Sequence, residues 1–225
     1  MIKHLSLRHG WWYHYRIHVE KARALCAPPL FQPLYEYLEG MFRHCPDEKF
    51  LTGPRSSKFK FPLGISPTPL PHHPICTLAK EGLARNEYNT AHSNVQMFLL
   101  QHDASTVGIE VPVWLDPHED SFLARLQKTG EESGPLSGHI DVLSIENGII
   151  WVWDYKPRAE KERYATTQTL FYARMLSRRT NIPLNLIRCG YFDEQHCFVF
   201  NPADIAHHQE QQGRTNKTPV HTMTL

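Results

Sequence analysis

The dipeptide Asn147-Gly148 lies between two runs of β-forming residues, 138–146 and 149–156. A two-residue type I′ turn needs positive φ at both central positions, and Asn-Gly meets that need at low steric cost, so this stretch reads as a β-hairpin. With Glu146 facing Ile149, counting back along both arms sets Asp141 opposite Asp154 and His139 opposite Lys156. Paired positions share a face, so Asp141, Asp154 and Lys156 are expected to project from one side of the sheet. Like charges held opposite each other disfavour folding. A bound divalent cation reverses that cost, which makes the two acids candidate ligands for Mg²⁺ or Mn²⁺.

Alternation along the second arm places Ile150, Val152, Asp154 and Lys156 on one face and Trp151, Trp153 and Tyr155 on the other. Both faces are apolar until Asp154, so the strand is expected in the interior of a sheet covered on both sides. Charge appears only at its end, where functional groups commonly emerge. An exposed ion pair is the bland reading of Asp154 and Lys156. It leaves the opposed Asp141 unexplained.

The rest of the chain supplies the frame. The spacing of Leu78, Leu83, Tyr88, Val95 and Leu99 predicts a helix over 78–102, with His92 on its inward face. A strand is predicted over 108–115, with Glu110 facing away from Ile109, Val111, Val113 and Leu115. A short helix is expected near 122–126, a long one over 160–179, and closing strands over 184–190 and 196–200. This order predicts an α/β fold with a mixed sheet flanked by helices. Residues 1–75 read as an aromatic and Pro-rich extension that ends in an extended connector, residues 76–206 as the core, and 207–225 as a polar, flexible tail. The run Trp11, Trp12, Tyr13, Tyr15 among Arg8 and Arg16 suits stacking of bases, and also packing on the core, which is the favoured expectation.

The net charge of +1 carries no global basic field, although a local cleft can still attract nucleic acid. Five cysteines without close-spaced pairs, and no run resembling a secretory or transit segment, fit a reduced cytoplasmic protein. Apolar runs are too short for a membrane span, so no membrane partner is expected.

These residues resemble a family. Asp141 followed by Asp154-Tyr155-Lys156 is similar to the bipartite signature of the PD-(D/E)XK nucleases, and Gly138 to Leu143 resembles the GxxDxL segment of their RecB-like branch. Gln168 and Tyr172 are similar to that branch's Q-x-x-x-Y helix motif, His92 to its helical metal-binding His, and Glu110 to the acid on the preceding strand. The likeness covers about residues 80–200 and is closest to CRISPR-associated RecB-like exonucleases; Tyr88 departs from it, standing where relatives commonly carry Gly.

The resemblance implies a restriction-endonuclease-like fold and Mg²⁺- or Mn²⁺-dependent hydrolysis of DNA phosphodiesters, as in DNA processing or repair. Asp141, Asp154, the Tyr155 carbonyl, Glu110 and His92 would hold the metal. Asp141, Asp154 and Lys156 would carry the chemistry, and Gln168 and Tyr172 would orient single-stranded DNA or a duplex end. Relatives often hold an iron–sulfur cluster with three late cysteines; here only Cys189 and Cys197 follow the motifs, so no cluster is expected. An endonuclease of the same superfamily and a non-cutting nucleic-acid- or partner-binding module are the alternatives. A protein partner or a homodimer formed through residues 1–75 is a further expectation.

Overall fold

Asn147 and Gly148 both adopt positive φ, at 51° and 73°. The turn they form joins β5 (Leu136–Glu146) to β6 (Ile149–Tyr155) in the expected register, from Glu146↔Ile149 to Val142↔Trp153. The structure, a computed structural model, describes residues 1–64, 66–128 and 134–205. The expected tail 207–225 lies outside the described residues.

The hairpin is the middle of an eight-stranded sheet. Before it come β1 (Ile2–His9), β2 (Trp11–His18), β3 (Thr68–Pro69) and β4 (Thr106–Leu115); after it come β7 (Ile187–Phe192) and β8 (Cys197–Phe200). The sheet order is β1-β2-β4-β5-β6-β7-β8-β3, antiparallel except for the β6–β7 pair. Parallel neighbours need a crossover, and α7 (Ala165–Thr180) supplies it. The fold is therefore mixed α/β, an open and mostly antiparallel sheet flanked by helices.

Residues 1–75, expected as an appended extension, instead supply β1, β2 and β3 of this sheet. Their helices α1 (Val19–Leu25), α2 (Gln32–Arg43) and α3 (Glu48–Leu51) share one core with α7 through Ala22, Leu34, Leu38, Phe50 and Phe171. Composition misleads here because aromatic, Pro-rich chain can still bury its rings. The connector ends at α4 (Pro74–Arg85), where Pro74 stands in the first turn.

The single helix expected over 78–102 is two. Asn86 ends α4 in the left-handed conformation at φ 48°, and Thr90 caps α5 (Ala91–His102) by accepting the Ser93 amide at 3.0 Å. Asn94 fastens the loop between them, donating to the Tyr88 and Thr90 carbonyls and accepting the Tyr88 amide. The short helix α6 (Ser121–Lys128) forms where expected, whereas α7 starts five residues later than its periodicity suggested. The first closing strand begins only at Ile187, after a 3₁₀ turn over Leu184–Leu186.

Among the described residues, two large cores line the sheet. One holds α7, α1 and α2; the other holds α4 and α5 with Trp153 and Tyr155. Gly190 lets Trp153 lie flat on β7, since a Cβ there would come within 2.2 Å of the indole.

Candidate functional site

β4 is buried along its whole length except at Glu110, and β5 is interrupted at Asp141 alone before its last residue. These two breaks coincide. The pairs Ile109↔Val142 and Val111↔Ile140 on either side leave Glu110 facing Asp141. Glu110 has φ of 49°, a conformation that costs a non-glycine residue about 1–3 kcal/mol. The kink reverses the alternation: Ile109 packs with α5, while Val111 joins the α7 core. Val142 and Ile140 divide the same way. The expectation that Ile109 and Val111 share a face is corrected by this reversal, which period-two counting cannot anticipate.

The strands also part here. Ladder pairing of β5 with β6 stops at Val142↔Trp153; β5 then follows β4, while β6 follows β7 through Asp154↔Tyr191 and Tyr155↔Phe192. Asp141 fills the gap, accepting the Tyr155 amide at 3.0 Å. In an extended strand the N–H and C=O of one residue point to the same edge, so the Tyr155 carbonyl also faces the opening. His139 does not oppose Lys156 as expected. It pairs with Pro112 on β4, and the Lys156 amide bonds to Phe192. Asp141 thus sits in the split between strands, not stacked above Asp154 on one face.

Asp154 is buried and faces α7. Its Oδ2 lies 2.6 Å from Lys156 Nζ, and its Oδ1 accepts a 3.4 Å bond from Gln168 Nε2. Gln168 also accepts from Lys156 at 3.2 Å and donates to the Tyr172 hydroxyl at 2.8 Å, so both motif residues of α7 meet the acids. Tyr172 reaches the site because residue 138 is glycine: a Cβ there would stand 2.3 Å from the Tyr172 ring. From the other side, His92 in the first turn of α5 places Nε2 4.0 Å from Asp141 and its ring 5.0 Å from that of Tyr155. Gln96, one turn on, donates to Glu110 at 2.7 Å.

Burial dominates the electrostatics. It pushes the Asp154 carboxyl up to about 7, against the pull of Lys156 and helped by Asp141. Burial likewise raises Asp141 and Glu110, and each raises or is raised by a neighbouring acid. Asp141 and Asp154 are close enough to share a proton. Burial opposes the charge on Lys156, yet the two aspartates outweigh it and hold the ammonium charged. Lys156 is the one cation paired directly with the two aspartates among the described residues, while Arg55 and Arg16 act on Glu110 from farther off. The buried Asp154 Oδ2 has the Lys156 ammonium at 2.6 Å as its neighbour. A hard dication suits this donor set of carboxylate and carbonyl oxygens. The set is not drawn tight: Glu110 is held by Gln96, and the acids and His92 do not converge within 4.8 Å as a group of three.

Among the described residues, the ligand atoms that do lie within 4.8 Å of one another belong to His9, Cys45 and Asp47. Two of them, His9 and Asp47, belong to a hydrogen-bonded relay instead. Arg55 can only donate, so His139 Nδ1 accepts at 2.9 Å; His139 Nε2 then donates to His9 Nδ1 at 3.0 Å, and His9 Nε2 donates to Asp47 at 2.8 Å. Every ring nitrogen is used, and a metal on His9 Nε2 would have to displace its proton. The five thiols are free, and burial pushes Cys26, Cys45 and Cys197 up to about 12.

A cleft of about 600 Å³ opens beside the acids. Its walls are Trp11, Trp12 and Arg16 of β2 and Tyr88, Asn89, Thr90 and Ser93 around the start of α5, and Glu110 and His92 also line it. The first turn's wall was readable, since Thr90-x-x-Ser93 is a capping pattern. Gln96 carried a weaker signal, one helical turn after His92. Arg55 and the relay had none.

No protein-family model, curated protein or solved structure matches this chain significantly. Among the described residues no helix is long and apolar enough to cross a membrane.

Proposed function

We propose that the protein is a metal-dependent DNA nuclease of the PD-(D/E)XK type, with the restriction-endonuclease-like fold that its motifs resemble, acting as a RecB-like exonuclease. One observation carries this reading. Asp141, Asp154 and Lys156 meet where β5 and β6 separate, and the carboxylates there exceed the positive charge available to balance them. Asp141, Asp154 and the Tyr155 carbonyl, with Glu110 and His92 at the periphery, would hold Mg²⁺ or Mn²⁺, which when bound would supply a more acidic water and offset charge on phosphate.

The chain's own groups do the rest. Lys156 is held charged and stands against Asp154, where its ammonium can orient the attacking water and support charge building on the phosphorane oxygens. Gln168 bridges Lys156, Asp154 and Tyr172, so it fixes the angle at which Lys156 enters the site. Gln168 and Tyr172 then border the strand being cut.

The test is cleavage of end-labelled DNA in Mg²⁺, Mn²⁺ or EDTA. Products shortened stepwise from an end are expected in either metal, with none in EDTA. Absence of metal-dependent products with a folded Asp154→Asn control that behaves identically would falsify the reading and favour a binding module that does not cut. Internal cuts would assign an endonuclease of the same superfamily.

A further inference from the structure

Trp11 and Trp12 were expected to pack on the core, and they do not: they are 76% and 57% exposed, whereas Trp114 and Trp153 are buried and Trp151 half-buried. They follow Gly10 at the tip of the β1–β2 hairpin, and φ of 76° at that glycine makes the tight reversal possible. β2 pairs with β4 only at Arg16 and Ile17, so the tip stands clear of the ladder. It is nonetheless anchored. Tyr13 stacks on His139 with ring centroids 3.8 Å apart, and the Arg55 guanidinium lies 4.6 Å from the Tyr13 ring. The indoles are therefore presented on a fixed support, and both border the cleft that also contains Glu110 and His92. Arg16 lines the same cleft and makes no ion pair among the described residues.

We infer that this cleft takes unpaired nucleobases, stacked on Trp11 and Trp12 with Arg16 on the adjoining phosphate, so that the substrate class is single-stranded nucleic acid. An exposed indole offers a flat face, and bases within a duplex are already stacked on both faces, so successive bases can lie on two indoles only when unpaired. The guanidinium matches a phosphate in charge and geometry. The cleft runs from the tryptophans to Glu110 and His92, and His92 stands 4.0 Å from Asp141, so a strand held there reaches the edge of the acid cluster. The fate of the strand rests on the nuclease reading; its capture does not.

Binding is measured by fluorescence anisotropy in EDTA on the full chain, where cleavage plays no part. The probes are a labelled oligothymidylate of about a dozen nucleotides and a blunt duplex of equal length. Single strand is expected to bind at least tenfold more tightly than duplex. Trp11→Ala with Trp12→Ala should weaken single-strand binding by roughly ten- to a hundredfold, with duplex binding little changed. Trp11→Phe with Trp12→Phe should restore most of it, and all variants should melt within about 2 °C of the parent because the rings are exposed. Equal affinity of parent and double-alanine variant for the single strand overturns the proposal. So does a double-alanine variant whose sole change is in self-association by light scattering, which would make the tip a protein contact. Failure of metal-dependent cleavage with this binding pattern intact would sink the nuclease reading alone.

Discussion

His139 and Asp141 stand two residues apart on β5 and belong to opposite kinds of buried polar cluster. His139 sits in a chain, Arg55 to His139 to His9 to Asp47, where every ring nitrogen has a partner and the far end is an exposed carboxylate. Asp141 sits among three acids, with Lys156 paired to Asp154 and with Arg55 and Arg16 acting on Glu110 from farther off. A satisfied network needs no ligand to explain it, because it stiffens the support under Tyr13. Acids crowded together out of water are kept against stability, and in folded proteins such costs gather where binding or chemistry occurs.

The largest effect separating the two should come from the acids. Asp154→Asn or Lys156→Ala is expected to lower cleavage by on the order of 10²–10³-fold or more while leaving the circular dichroism spectrum unchanged. Loss of fold in Asp154→Asn would place the acids in the same structural class as the relay. Breaking the relay should do the reverse. His139→Ala removes a buried ring and strands both Arg55 and His9, and chemical denaturation should show a loss of about 3 kcal/mol whether or not Mg²⁺ is present.

Gly138→Ala tests the join between the clusters. Its Cβ would stand 2.3 Å from the Tyr172 ring and 2.8 Å from Ser56 Oγ, so Tyr172 must move. A cost of about 1–3 kcal/mol in denaturant is expected, together with slower cleavage as Tyr172 releases Gln168.

The clusters also differ in pH dependence, where they have opposite signs. Asp154 titrates near 3.8 when unfolded and about 7 when folded, so the native state holds the extra proton between those values. Its contribution is present below about pH 4 and is lost as pH rises through 7. His139, held neutral by burial, titrates near 6.5 unfolded and well below that folded, so its contribution is lost as pH falls below about 6.5. Melting in EDTA should therefore show Asp154→Asn gaining more over the parent at pH 8 than at pH 5. Added Mg²⁺ should erase that gain. A pH-independent difference would show that Asp154 does not carry a raised pKa.

Much of this was legible from local rules. The Asn147-Gly148 turn set the register of β5 and β6, and the faces of β6 follow from alternation, with Ile150 and Val152 toward α7 and Trp153 and Tyr155 toward α5. The meeting of Gln168 with Tyr172 follows from four-residue helical spacing. The Asn86 and Thr90 signals were also present, though helical periodicity masked them across the break.

Short-range chemistry thus specified the turn, the order of acids along β5 and β6, and the helix face that meets them, because each depends on residues a few positions apart. The rest came from long-range packing. The kink at Glu110, the parting of β5 from β6, the place of residues 1–75 within the sheet, and the outward aim of Trp11 and Trp12 all depend on partners far along the chain. Burial of Asp154 belongs with them, since a carboxyl acquires a raised pKa only when distant strands and α7 close over it.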